Sequence, residues 1–215
     1  MSNDSLLQQA VLAELSWEPS VASAHIGVTA NNGVVTLTGH VESFVEKRAA
    51  EAAASRVKGV KAVAEEIEVK LAPDMTRTDD QIAAAALESL SWDVSVPKDK
   101  VKVKVEKGWI TLTGEVNWHF QKDAAERDTR RLFGVVGVSN QITIKPHVHP
   151  SDVAEKIKAA LHRSWFNPAD ITVSSAGGRV LLEGSVRSWH ERQLAETAAW
   201  GAPGVTQVED NLAIT

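Results

Sequence analysis

Apolar and polar positions along this chain follow two alternating periods, and the switch between them recurs three times. It is clearest in the middle of the chain. Behind Asp79 and Asp80, apolar residues return at Ile82, Ala85, Ala86, Leu87 and Leu90, the spacing of a helix with acidic residues at its positive end. The period then drops to two in VKVKVEKG: Val101, Val103 and Val105 face one side, Lys100, Lys102 and Lys104 the other. Gly108 marks a turn, and WITLT continues the alternation with Ile110 and Leu112 on the core side, which predicts a β-hairpin. A second helix and a last strand follow; the closing strands are IEVKL, ITIKP and LAIT.

The same string is written three times: Gly33-VVTLT-Gly39, Gly108-WITLT-Gly114 and Gly178-RVLLE-Gly184. Twenty residues after each second glycine stands a Gly-Val pair, Gly59-Val60, Gly134-Val135 and Gly204-Val205. Each opening helix runs into a Ser-Trp pair, Ser16-Trp17, Ser91-Trp92 and Ser164-Trp165. The second glycine recurs after 75 and then 70 residues, so one supersecondary unit is used three times. The predicted fold is α+β, three tandem αββαβ modules over 1–72, 76–146 and 149–215. Each has a small mixed three-stranded sheet with two helices on one face. Ser43 three before Glu46, and Ser188 three before Glu191, predict capping boxes at the second helix. Copy two has Trp118 and Gln121 there, and so loses the box. Each Gly-Val pair is expected to end that helix.

A strand ending in Thr or Glu and Gly, Val two residues on, a helix, Gly-Val and a closing strand form a composite pattern. Its residues are Gly39, Val41, Gly59, Val60, Val63 and Ile67; Gly114, Val116, Gly134, Val135, Val138, Asn140 and Ile142; and Gly184, Val186, Gly204, Val205, Val208, Asn211 and Leu212. In this the chain resembles the BON family, named for bacterial osmotic-stress and nodulation proteins. The resemblance implies non-enzymatic modules that bind membranes, often anionic phospholipids, or small ligands, in envelope maintenance and osmotic stress. It also implies potassium binding, which is associated with some cytoplasmic relatives.

Composition narrows the reading. The chain has no cysteine, which removes disulfides, thiolate zinc sites and cysteine nucleophiles. The net charge of −5 speaks against nucleic acid as a partner. That charge is unevenly spread, at −4 over 1–75, +1 over 76–147 and −2 over 148–215. The start, MSNDSLLQQAVLAEL, has no basic region or unbroken apolar core of a secretory signal, so a cytoplasmic location is expected, or a periplasmic one only if a leader is removed. No apolar run approaches the ~20 residues of a membrane span. No nucleophile elbow, phosphate loop, zinc-protease or dinucleotide motif is present, so neither enzymatic activity nor a cofactor is expected.

Trp17, Trp92 and Trp165 recur, and are expected to seal the core at the end of helix one, at a cost of about 3–5 kcal/mol if cut to alanine. Trp109, Trp118, Trp189 and Trp200 do not recur and suit interfaces or a headgroup layer. The lysine run Lys98, Lys100, Lys102 and Lys104, with Trp109 and Trp118, is the candidate lipid or anion surface. Its bland counterpart is a set of solvated lysines guarding an open sheet. His147 and His149 lack a third ligand, and the acidic pairs Glu65-Glu66 and Asp79-Asp80 lack a calcium-loop pattern, so no metal site is assigned. The expected partners are therefore anionic phospholipid, with a small cation (potassium) or osmolyte as the alternative and a protein partner as the third. Short proline-bearing linkers predict that at least one of Trp109, Trp189 and Trp200 packs between modules.

Overall fold

The computed structural model describes residues 3–145, 153–163, 170–202 and 204–215. Trp165, His147 and His149 lie outside them. The first module runs α1 (Asn3–Trp17), β1 (Ile26–Asn31), β2 (Val34–Val41), α2 (Phe44–Arg56) and β3 (Ala62–Val69). β1 and β2 form an antiparallel hairpin, while β2 and β3 pair in parallel in the order β1-β2-β3. A parallel neighbour needs a crossover, and α2 provides it. The second module repeats this with α3 (Asp79–Trp92), β4 (Val101–Glu106), β5 (Trp109–Val116) and α4 (His119–Thr129), but its closing strand is in two pieces, β6 (Gly137–Asn140) and β7 (Thr143–Ile144). In the third, α5 (Val153–His162), β8 (Ile171–Ala176), β9 (Arg179–Val186), α6 (Trp189–Trp200) and β10 (Gln207–Ile214) restore the continuous strand.

The alternation in the strands decides which face is covered. In module one, Val28, Val35 and Leu37 from the sheet meet Val11 and Leu15 of α1 and the small side chains Ala50, Ala53 and Ala54 of α2. Module three packs the same way, with Val173, Val180 and Leu182 under Ile157 and Leu161 of α5 and under Ala195 and Ala199 of α6. Alanines let the crossover helix approach the strands closely. The valines of the Gly-Val pairs, Val60, Val135 and Val205, are buried. Their glycines do not cap the helix as expected: α2, α4 and α6 end at Arg56, Thr129 and Trp200, several residues earlier. Gly59, Gly134 and Gly204 instead sit in the connection into the closing strand, with φ of +96°, +87° and +81°.

The tryptophan expectation is overturned for Trp17 and Trp92. Trp17 is 84% and Trp92 79% exposed. The buried positions of α1 are Val11 and Leu15, and Trp17 follows Leu15 by two residues, about 200° around the helix axis. Leu90 and Trp92 stand in the same relation in α3. Recurrence of the residue type misled, whereas helix phase points the ring outward. Trp17→Ala and Trp92→Ala should each change unfolding free energy by less than about 0.5 kcal/mol, as surface substitutions do. Chemical denaturation of the two variants checks this.

The chain resolves into two compact units, residues 1–89, 103–111 and 127–139 in one and 90–102, 112–126 and 140–215 in the other. Among the described residues, no helix is long and apolar enough to cross a membrane.

Candidate functional site

The first two hairpins are held from both ends, and the third shares the hold at the strand end. At one end, the second glycine of each copy lets two strands meet at close range: a Cβ on Gly39, Gly114 or Gly184 would lie 2.0, 2.0 or 1.9 Å from a backbone oxygen of His25, Lys100 or Asp170. At the other end, a helix-one aspartate grips the turn. Asp79 accepts from the backbone N–H of Lys107 and of Gly108, each at 2.8 Å, and Asp4 accepts from Asn32 N–H at 2.9 Å. Sequence alone presents Asp79 as a dipole partner and not as a clamp; the recurrence of aspartate 75 residues after Asp4 is the available signal. Next to it, the Thr78 hydroxyl holds the Asp80 carboxyl below the usual carboxylate range. Asp79→Ala should cost about 1–3 kcal/mol, chiefly by leaving the N–H of the buried Gly108 without its acceptor, whereas Asp80→Ala should cost less; parallel urea melts distinguish them.

On this frame β4 is unlike its counterparts. Its burial alternates, with Lys102 and Lys104 exposed and Val101, Val103 and Val105 half-buried. Lys98, Lys100 and Lys107 are exposed as well. At the corresponding exposed positions, β1 has Gly27, Thr29 and Asn31 and β8 has Thr172, Ser174 and Ala176, all uncharged. Lys104 is partly neutralised by Glu106 at 3.0 Å. Trp109 opens β5 at 49% exposure, its ring lying over the β6 backbone: a Cβ on Gly137 would stand 2.3 Å from the indole. Gly137 thus leaves room for the Trp109 ring, about half of which stays exposed.

The mouth of the second helix varies among copies. The Ser43 and Ser188 hydroxyls accept from Glu46 and Glu191 N–H, as the capping boxes predict. Copy two keeps half of the box: the Gln121 side chain accepts from the backbone N–H of Asn117 at 2.9 Å and of Trp118 at 3.1 Å. A further tie, unseen in the sequence, joins this helix to the closing strand. Lys47 pairs with Glu65 at 3.1 Å and Arg192 with Asp210 at 2.7 Å. In copy two Asn140 donates to the Lys122 carbonyl and to Glu126 instead.

Trp118 therefore does not join the lysine strand. It is half-buried and lines a half-open cleft of about 370 Å³ together with His119, Phe120, Asp123 and Glu196. There Trp200 of α6 stacks on His119 of α4, ring centroids 4.0 Å apart and 19° from parallel. So one of the tryptophans expected to pack between modules does so, within the second compact unit. His119 Nδ1 lies 2.9 Å from Asp123, and Trp200 Nε1 donates to Glu196 at 3.4 Å. Trp189 is half-buried with the Arg192 guanidinium 5.0 Å over its ring. Among the described residues, no group of three or more His, Asp or Glu side chains is placed to hold a metal ion.

Comparison with known proteins agrees with the repeat. The BON domain family matches residues 3–70, 78–146 and 150–215. Osmotically-inducible protein Y of Escherichia coli (strain K12) is 32% identical over 151 residues, spanning 66% of this chain and 73% of that protein. Two solved structures of CdsD, described as a structural protein of the type III secretion system of Chlamydia trachomatis, are similar at 16% and 17% identity. They cover 96% and 97% of this chain and 91% and 97% of theirs, each with a TM-score of 0.27. With three matched segments spanning nearly its whole length, the chain belongs to the BON domain family.

Proposed function

We propose that this chain is a stress-associated, non-enzymatic BON protein whose second module attaches to anionic phospholipid surfaces through the outer face of its sheet. The observation that carries this reading is the row of exposed lysines on and before β4, with the half-exposed Trp109 at the start of β5. No such charge stands on β1 or β8. Lysine near an anionic bilayer contributes about 1 kcal/mol each, and an indole suits the headgroup layer. The stress association rests on the likeness to osmotically-inducible protein Y.

Cosedimentation with vesicles tests it. At low salt the chain should pellet with anionic vesicles and not with neutral ones. Replacing Lys100, Lys102 and Lys104 together by glutamine should weaken binding roughly hundredfold, less whatever the Glu106 ion pair already removes. Because these side chains are exposed, circular dichroism of the variant should match that of the parent chain. Equal pelleting with both kinds of vesicle, or an unchanged triple variant, would refute the proposal.

A further inference from the structure

The cleft at Trp118 has a chemistry of its own, separate from the lysine face. Its walls are aromatic: Trp118, His119, Phe120 and Trp200, with Phe120 57% exposed. Its charged acceptors are the carboxylates of Asp123 and Glu196, and neither Lys nor Arg lines it. We infer that this cleft binds a small methylated ammonium cation of the choline type.

Three features favour that class of ligand. The carboxylates are seated next to rings, Asp123 against His119 Nδ1 at 2.9 Å and Glu196 against the Trp200 indole N–H at 3.4 Å, so negative charge and aromatic rings line one space. A cation of low hydration is drawn to that combination, whereas a bare metal ion asks for a shell of oxygens. The volume of about 370 Å³ lies at the small end of the ~300–1,000 Å³ of ligand pockets, large enough for a trimethylammonium head and too small for a folded segment. The stack of His119 on Trp200, ring centroids 4.0 Å apart, fixes two of the wall rings against each other, so that side of the cleft is already in place before a ligand arrives.

Calorimetry on the full chain, at fixed ionic strength set by sodium chloride, tests the inference. The probes are choline and its neutral carbon isostere dimethylbutanol. Choline should bind saturably and roughly 2- to 30-fold more tightly than the isostere, the range given by cation–π attraction. Glu196→Gln keeps an acceptor for the Trp200 N–H but removes the charge; it should weaken choline binding and narrow its margin over the isostere, leaving the isostere unchanged. Asp123→Asn should act in the same direction. Phosphocholine supplies a separate arm: binding as tight as choline assigns the site to a lipid headgroup, and weaker binding assigns it to a free solute, both in support of the site. Equal affinity for choline and the isostere, no saturable heat with choline, or indifference to both charge-removing variants would overturn it. The Lys100, Lys102 and Lys104 triple variant should bind choline unchanged, which separates this test from the vesicle experiment.

Discussion

Replacing Gly114 by valine should unfold the second module. The residue has φ +134°, a conformation L side chains rarely adopt, and a Cβ there would lie 2.0 Å from the Lys100 carbonyl oxygen. Strain of this kind costs about 1–3 kcal/mol for the backbone alone. The overlap adds to it, because neither partner is the free end of a side chain: the oxygen belongs to the chain entering β4. A combined loss beyond about 4 kcal/mol is expected, against the ~5–15 kcal/mol that holds a typical domain together. Thermal melts followed by tryptophan fluorescence should show an early transition for Gly114→Val. The same should hold for Gly39→Val and Gly184→Val, where the oxygens of His25 and Asp170 stand equally close. If all three variants melt with the parent chain, the glycines have been misread as structural.

The second large effect is expected at Leu37. It is fully buried in the first core, between α1, α2 and the sheet. Leu37→Ala should cost about 2–5 kcal/mol, the value depending on how far α2, whose contact face is alanine, can settle into the space. The useful comparison lies within the same module. Trp17 is the larger side chain, yet its loss should cost less than about 0.5 kcal/mol because so little of it is covered. Equilibrium denaturation of Leu37→Ala and Trp17→Ala side by side measures the contrast. Equal destabilisation would mean that the outward position of Trp17 is wrong.

What could be read from the chain was local. The hairpin turns and the Ser43 and Ser188 caps depend on residues within a few positions of one another, and period and punctuation reveal them; the crossover order follows from the threefold order of those elements. The failures have different causes. Recurrence of the residue type suggests an inward place for Trp17 and Trp92, although counting two positions from Leu15 and Leu90 turns them outward. The Gly-Val pairs were assigned to helix ends, yet Gly134 stands five residues beyond Thr129; a glycine at positive φ serves a strand connection as readily as a cap. The Asp79 clamp spans 28 residues to Lys107, and the His119–Trp200 stack joins residues from different copies. Contacts of that reach follow from tertiary placement, which no local pattern encodes. The lysine strand was legible, but Trp118 was grouped with it on type, and the two occupy different surroundings.

The central functional claim is that one face of one module meets the bilayer. Hydrogen–deuterium exchange of the full chain, with and without anionic vesicles at low salt, addresses it most directly. Protection should concentrate on residues 98–111, covering the approach to β4, β4 itself and the start of β5, while β1 and β8 exchange as they do in free protein. Protection centred instead on the exposed helix ends at Trp17 and Trp92, or no protection anywhere, would contradict the account.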